Sequence, residues 1–327
     1  MAFGETLSAL QALAISLRNS IGIAAKADIA AVAAGLGLSS SAVRVGDDCA
    51  AIPDGDGFLL LAIEGFMNEF VAAEPWFAGW CGAMVNISDI AAMGGTPVAV
   101  VDALFAEGAT QAAPILAGMR AAAAAYGVPV IGGHSNLRND RSQLSVAILG
   151  RAKKLLTSFD ARPGEILLAA IDLRGAYRPY FSNWDAASNA PPERLRGDLE
   201  ILPHLAQAEL CKAAKDISQG GLIGTAIMLA ECSGVEIVID VDAVPIPGGV
   251  ALERWLSSFP SFGFLFSVPP ENAEAVIAQF AAREIAAAAI GVVRHGSRVI
   301  VAQGDAAETI WDFSQRALLG CGEAGHA

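Results

Sequence analysis

"PWFAGWCGAMVNISDIAAMGGTPVAV", residues 75–100, passes from one kind of structure to another within a single stretch. It opens on Pro75, which is tolerated in the first turn of a helix, and runs to Gly94, Gly95 and Pro97, which end one. Between them Gly82, Asn86, Asp89 and Met93 recur at i, i+4, i+7 and i+11, so two polar groups fall on a helical stripe of small and apolar residues. The "VAVVDALF" that follows is a strand, and a helix feeding directly into a strand points to an α/β fold.

Upstream, "VRVGDDCAAIP", the turn "DGDG" and "FLLLAIEG" read as a hairpin. A turn centred near Gly55 sets Asp48 opposite Ala62 and Asp47 opposite Ile63, and brings Glu64 out at the same end as the aspartates. Downstream, the helix "APILAGMRAAAAAYG" and the strands "VPVIGG" and "QLSVAILGR" complete a domain. Its order mixes βαβ units with hairpins, so its sheet is mixed. Residues 5–38 read as helical, with Leu7, Leu10, Leu13, Ile15 and Leu17 spaced for a buried face.

The polar connector "KKLLTSFDARPGEI" leads into a second α/β domain that opens on the strand "ILLAAIDL". Residues 174–200 are the least regular part, read equally as a substrate loop or a surface excursion. Then follow a helix over 201–214, "KDISQGGL", a helix over 222–233, the strand "VEIVIDV", a short helix after "PIPGG", the strand "FGFLFSV", a helix over 271–284 and the hairpin "AAIGVVRHGSRVIVA". The resulting division is a helical extension (1–42), two α/β domains (43–152 and 153–304) and a peripheral helical tail (305–327).

A chain of 327 residues, 54 % of them hydrophobic, exceeds one comfortable core, which supports two domains. No apolar run reaches the roughly 18 residues of a membrane span, and the N-terminal stretch lacks a basic leader with an apolar core. The expectation is a soluble, cytoplasmic protein with no membrane partner. Five cysteines (Cys49, Cys81, Cys211, Cys232 and Cys321), far apart and without a C-x-x-C pair, read as reduced thiols. A net charge of −13 with no basic stripe argues against nucleic acid as a partner. An anionic small-molecule substrate requires metal ions or local basic residues to offset that field.

Four constellations carry chemistry. In "GDDCA" a glycine permits a tight turn and two carboxylates point apart, suited to an oxygen-liganded Mg²⁺ that keeps waters and substrate phosphates; alone, the turn reads more often as a solvated loop. Asn86 and Asp89 are either a buried polar pair or partners of that turn. "VIGGHSN" ends a strand on Gly132 and Gly133, which allow close approach by a ligand, and then offers His134. In "KDISQGGL", Asp216 and Ser218 precede Gly220, Gly221 and a helix whose first N–H groups suit a phosphate or simply a cap. The common nucleotide and hydrolase loops, G-x-x-x-x-G-K-[ST], G-x-G-x-x-G and G-x-S-x-G, are absent.

Taken in order, "VGDDCA", "NISDIAAMGGTPVAV", "VIGGHSN", "ARPGE", "KDISQGGL", "SGVEIVID" and "FSVPPE" resemble the aminoimidazole ribonucleotide synthetase (PurM-like) superfamily over roughly residues 43–303. That group includes thiamine-monophosphate kinase, selenophosphate synthetase and the hydrogenase maturation dehydratase. The first is most similar in "GDDCA" and "NISDIAAMGG", while the double glycine of "DISQGGL" leans toward the other two.

The resemblance implies a two-domain PurM-like fold, α/β in class. An N-terminal mixed-sheet α/β domain dimerises through its sheet, and a C-terminal α/β domain accompanies it. It further implies ATP and Mg²⁺ as cofactors, with Asp47, Asp48, Glu64, Asp89 and Asp216 as candidate metal ligands. Asp47, Asn86, Gly132, Gly133, Ser218, Gly220 and Gly221 become candidate nucleotide contacts, and Asp48 and His134 candidate catalytic groups. The implied activity is ATP-dependent phosphoryl transfer to, or ATPase action on, a small metabolite. The alternatives are an ATP-driven cyclase or dehydratase working through an iminophosphate, with His134 carrying a proton, and a nucleotide-binding scaffold without catalysis.

The chain departs from the kinase pattern at four places. Glu64 replaces an aspartate, His134 stands where the pattern has Gly-Gly-Asp, Gln219 replaces the aspartate after the serine, and "PSFGFLF" replaces "G-E-D-Y-E". Each change removes or lengthens an acid, and together they touch the acceptor half more than the nucleotide half.

Overall fold

The computed structural model describes residues 7–38, 41–179 and 181–320; Cys321 and the end of the expected tail lie outside them. Three short helices come first: α1 (Ala9–Arg18), α2 (Ile21–Lys26) and α3 (Asp28–Gly35). Ser8 and Gln11 cap α1 reciprocally, each side chain bonding the other's backbone N–H. The buried face of α1 is Leu10, Ala14 and Leu17. Leu7 and Ile15, expected on it, are exposed, because Leu7 precedes the helix and Ile15 falls on its far side.

The hairpin of β1 (Ala50–Asp54) and β2 (Gly57–Gly65) forms, but one residue out of the expected register. Asp54 pairs with Gly57 and Ala50 with Leu61, so the turn is the two residues Gly55 and Asp56, with Gly55 at φ 62°. Continuing that register sets Asp48 level with Ile63, and Asp47 with Glu64. The ladder stops at Ala50, so both aspartates lie beyond it.

Helices α4 (Asn68–Ala73) and α5 (Pro75–Ala92) follow, then β3 (Thr96–Glu107), α6 (Gly108–Tyr126), β4 (Val130–Asn136) and β5 (Arg138–Ala152). The strands form one sheet in the order β1-β2-β5-β3-β4, with β3 and β4 parallel and the other pairs antiparallel. This is the expected mixed sheet. Small residues let α5 lie close: a Cβ at Gly82 would meet Val146 at 2.9 Å, and one at Gly79 would meet the carbonyl of Ile115 on α6 at 2.0 Å. Leu60, Ala62, Val100, Leu104, Leu144, Val146 and Ile148 are buried on the side that packs with α5 and α6. By the alternation of strand residues, Leu61, Ile63, Val101 and Leu149 project from the opposite side, and all four are exposed.

The remaining elements are β6 (Ile166–Ile171), β7 (Ala176–Tyr177), β8 (Asn183–Asp185), α7 (Pro192–Leu199), α8 (Ile201–Gln207), β9 (Ala213–Asp216) and α9 (Gly221–Ser233). After these come β10 (Glu236–Asp240), α10 (Leu252–Leu256), β11 (Phe259–Pro260), β12 (Gly263–Val268), α11 (Ala273–Ala281), β13 (Ala286–Arg294), β14 (Arg298–Gln303) and β15 (Ala306–Asp312). Seven strands form a sheet in the order β15-β14-β10-β13-β6-β12-β9, and β11-β8-β7 form a small one.

Three expectations are corrected here. Residues 213 and 214, read as the end of a helix, belong to β9, paired with β12. The expected hairpin of β13 and β14 does not form, because β10 lies between them, parallel to β14 and antiparallel to β13. The 295–297 turn wraps the start of β10, and Arg298 pairs there with Glu236, Nε to Oε2, at 3.0 Å. The tail read as helical begins as β15, paired with β14.

The chain divides into two compact units that are each discontinuous in sequence. One comprises Asp48–Leu156 and Ala186–Glu209. It takes in α7 and α8, because Leu195 joins its core and Arg196 donates from Nη1 to the carbonyl of Ala125 at 3.0 Å. The other comprises the segment up to Asp47, Thr157–Asp185 and the chain from Leu210 onward. The N-terminal helices belong to it: Ile23 lies against Gly224 of α9, and a Cβ at Gly22 would meet the carbonyl of Gln219 at 2.2 Å.

Candidate metal centre

The expected stripe on α5 exists and is enclosed: Gly82, Asn86, Asp89 and Met93 are all buried. Asn86 is 0 % exposed. Its Nδ2 donates to the carbonyl of Gly82 at 2.8 Å, and its Oδ1 has no hydrogen-bond partner among the described residues. One turn further on, Asp89 is 7 % exposed and carries a carboxylate oxygen within 4.8 Å of one from Asp48. Two carboxylates that close, one almost wholly out of water, repel each other as ions. Their oxygen donors and their charge fit a hard divalent cation such as Mg²⁺, which neutralises both.

The neighbouring aspartate is used differently. Gly46, at φ 119°, turns the chain so that Asp47 accepts from the Ser158 backbone N–H at 3.1 Å on both oxygens and from the Ser158 hydroxyl at 2.7 Å. Asp47 is therefore engaged by protein donors and stands outside the carboxylate cluster. Glu64 also stands outside it, at the exposed end of β2, level with Val146 of β5.

The glycine pair before α9 does not form an open phosphate cradle. Gly220 and Gly221 are buried, a Cβ at Gly221 would meet the carbonyl of Leu256 at 2.3 Å, and Gly221 donates its N–H to Ser218 O at 2.8 Å. These glycines permit close packing against the end of α10 and against α2, where the sequence suggested a ligand. Asp216 closes β9 half-buried, its carbonyl accepting from the Thr225 hydroxyl at 3.1 Å.

On β4, Gly132 has open space around it, whereas a Cβ at Gly133 would meet Asp102 Oδ1 at 2.4 Å. Gly133 thus makes room for a side chain of its own sheet. Burial raises the pKa of Asp102 above the usual aspartate value, and its Oδ2 has no hydrogen-bond partner among the described residues. His134 is level with Ala103 and its ring lies 5.8 Å from that of Phe105. That places it on the sheet face away from α5, so the structure does not bring it to Asp89.

Three residues were missed by sequence reasoning: Ser158, Lys215 and Asp102. A lysine directly before Asp216 was the available signal for Lys215, and Ser158 gave none.

Residues 46–152 match the AIR synthase related protein, N-terminal domain, and residues 180–303 the AIR synthase related protein, C-terminal domain. The chain is 46 % identical to an uncharacterized protein of Synechocystis sp., over 94 % of its own length and 97 % of the other's. It is 27 % identical to the thiamine-monophosphate kinase of Pyrococcus horikoshii, over 81 % of this chain and 88 % of that one. T. maritima PurL complexed with ADP is similar in fold at a TM-score of 0.70 and 18 % identity, over 86 % of this chain. The chain spans about half of that protein, 47 % of its length. AaThiL complexed with AMPPCP and TMP is similar at a TM-score of 0.64 and 20 % identity, over 86 % of this chain and 96 % of the other. With both halves of the chain matched and the PurM-like fold shared, this protein belongs to the AIR synthase related family.

Proposed function

We propose that this protein is an ATP- and Mg²⁺-dependent phosphotransferase or ATPase acting on a small metabolite, of the general kind of the thiamine-monophosphate kinases to which it is similar. The observation that carries the reading is the Asp48–Asp89 carboxylate pair. Phosphoryl transfer depends on positioning and on neutralising phosphate charge, and Mg²⁺ supplies that neutralisation when bound. In this proposal Asp48 and Asp89 hold the cation. Asn86, anchored by its Nδ2, orients Asp89 or contacts the nucleotide.

A homodimer belongs to the same proposal. The exposed face carrying Leu61, Ile63, Val101 and Leu149 is apolar, and a second copy of the same sheet is its proposed cover. His134 lies on that face. No helix among the described residues is long and apolar enough to cross a membrane. The four described cysteines are buried and form no disulfide with one another, which suits the cytoplasmic setting proposed here.

The test is an assay of Mg·ATP binding and turnover with thiamine monophosphate and with an amide-bearing acceptor. A stably phosphorylated product supports the kinase, free phosphate supports the ATPase or dehydratase, and binding without turnover supports a scaffold. Absence of Mg·ATP binding at millimolar ligand sinks the proposal.

A further inference from the structure

We propose, on the reading that the bare face of the five-stranded sheet seats a homodimer, that His134 makes this self-association pH-dependent: two copies join when its imidazole is neutral and part when it takes up a proton. Histidine is the side chain whose charge ordinarily changes close to neutral pH. Its place on this face is what gives that change an effect.

Strand pairing fixes what shares the face with it. His134 is level with Ala103 of β3, and Ala103 with Ser145 of β5. Next along the strands, toward the apolar part, Val101, Ala147 and Ile63 are level with one another. Asp102, the neighbouring acid on β3, alternates with these and projects from the covered side with Val100 and Leu104. Charged side chains stand only toward the two ends of the sheet. At one end Arg151 pairs with Asp54 at 3.2 Å; at the other Glu107 is level with Arg138, and Arg141 pairs with Asp140 at 3.2 Å. Between these ends His134 is the one titratable side chain on the bare face among the described residues.

That distribution favours a second copy as the partner and makes the histidine decisive. A net charge of −13 opposes the approach of another copy, yet on this face opposite charges balance at each end and the centre is uncharged while His134 is neutral. The imidazole ring lies 5.8 Å from that of Phe105, and among the described residues neither of its nitrogens has a hydrogen-bond partner and no carboxylate pairs with it. In the separate chain water solvates a proton on that ring. Beneath a second copy water is excluded, and burying an unpaired charge is costly. A two-fold dimer doubles the cost, because each copy brings its own His134. The protonated ring therefore belongs to the separated chains, dissociation takes up a proton per copy, and the dimer weakens as pH falls.

The test is sedimentation equilibrium of the full chain at constant ionic strength from about pH 8 to about pH 5.5, with far-UV circular dichroism as the check on folding. The dimer dissociation constant should rise by about tenfold or more as pH falls across that range. His134→Gln should keep the dimer and flatten the profile, and His134→Lys should weaken the dimer throughout. A dissociation constant independent of pH, or a profile that persists unchanged in His134→Gln, would overturn the role of His134 while leaving the dimer standing. A chain that is monomeric at the alkaline end, or a dimer indifferent to Ile63→Glu, removes the homodimer reading itself and the pH dependence with it.

Discussion

The two large sheets of this protein solve the same problem differently. In the seven-stranded sheet the neighbours β6 and β12 are enclosed on both faces: every residue of β12, from Gly263 to Val268, is buried, and so is all of β6 after Ile166. In the five-stranded sheet α5 and α6 enclose one face only, and the other presents leucine, isoleucine and valine to solvent. A sheet buried on both faces is complete as it stands, whereas one with a bare apolar face is the surface on which the proposed dimer rests. The candidate metal centre draws Asp89 from the helix on the covered face, where it is 7 % exposed.

The largest expected effect tests the enclosed sheet. Phe266→Ala should cost about 3–5 kcal/mol in urea unfolding, as expected for a fully buried aromatic, while Leu61→Ala should cost under about 1 kcal/mol in the isolated chain. Equal costs would erase the contrast between the sheets. Next, Ile63→Glu on the bare face should halve the mass read by light scattering while leaving far-UV circular dichroism unchanged. An unaltered dimer, or a wild-type monomer, would remove that face as the interface.

Behind the covered face, Asp89→Asn should lower Mn²⁺ affinity by at least about the tenfold seen for outer partners, with stability equal or higher because like-charge repulsion is relieved. Calorimetric titration and a melt read the two effects separately. The smallest effect concerns Asp102. Its raised pKa means that the folded state disfavours the charged form, so the penalty is present at neutral pH. Asp102→Asn should therefore raise the melting temperature at neutral pH. That gain should shrink as pH falls through the raised pKa and vanish below the ordinary aspartate range. A gain that grows with acidity would contradict the assignment.

Much of the unit built on the five-stranded sheet was legible because its signals are local. The i, i+4, i+7 spacing of Gly82, Asn86 and Asp89 identified the buried stripe, and Pro75 and Gly94 bounded its helix. Signals of longer range were not legible. The β13–"RHGS"–β14 stretch has the form of a hairpin, yet β10 takes the place between the two strands, a matter of tertiary pairing that no window of residues contains. Alanine and lysine in "LCKAAKDI" favour a helix, and pairing with β12 overrides them. Adjacent in sequence, Asp47 and Asp48 are indistinguishable; what separates them is a serine 111 residues away. The glycines of "SQGGL" looked like a ligand loop because close packing and close ligand approach ask for the same residue.

Glu231 lies in α9, fully buried, and its two carboxylate oxygens accept the backbone N–H groups of Leu318, Leu319 and Gly320 at 2.8–3.0 Å. Among the described residues, a carboxylate at the heart of a helix is thus solvated by backbone donors almost ninety positions downstream. On the ribosome this has a temporal meaning. Helix α9 emerges long before its donors, so the unit built on it stays incomplete until residue 320 has cleared the exit tunnel. Truncation just before Leu318 would leave a buried anion without donors, which makes those three residues an integral part of the fold they close.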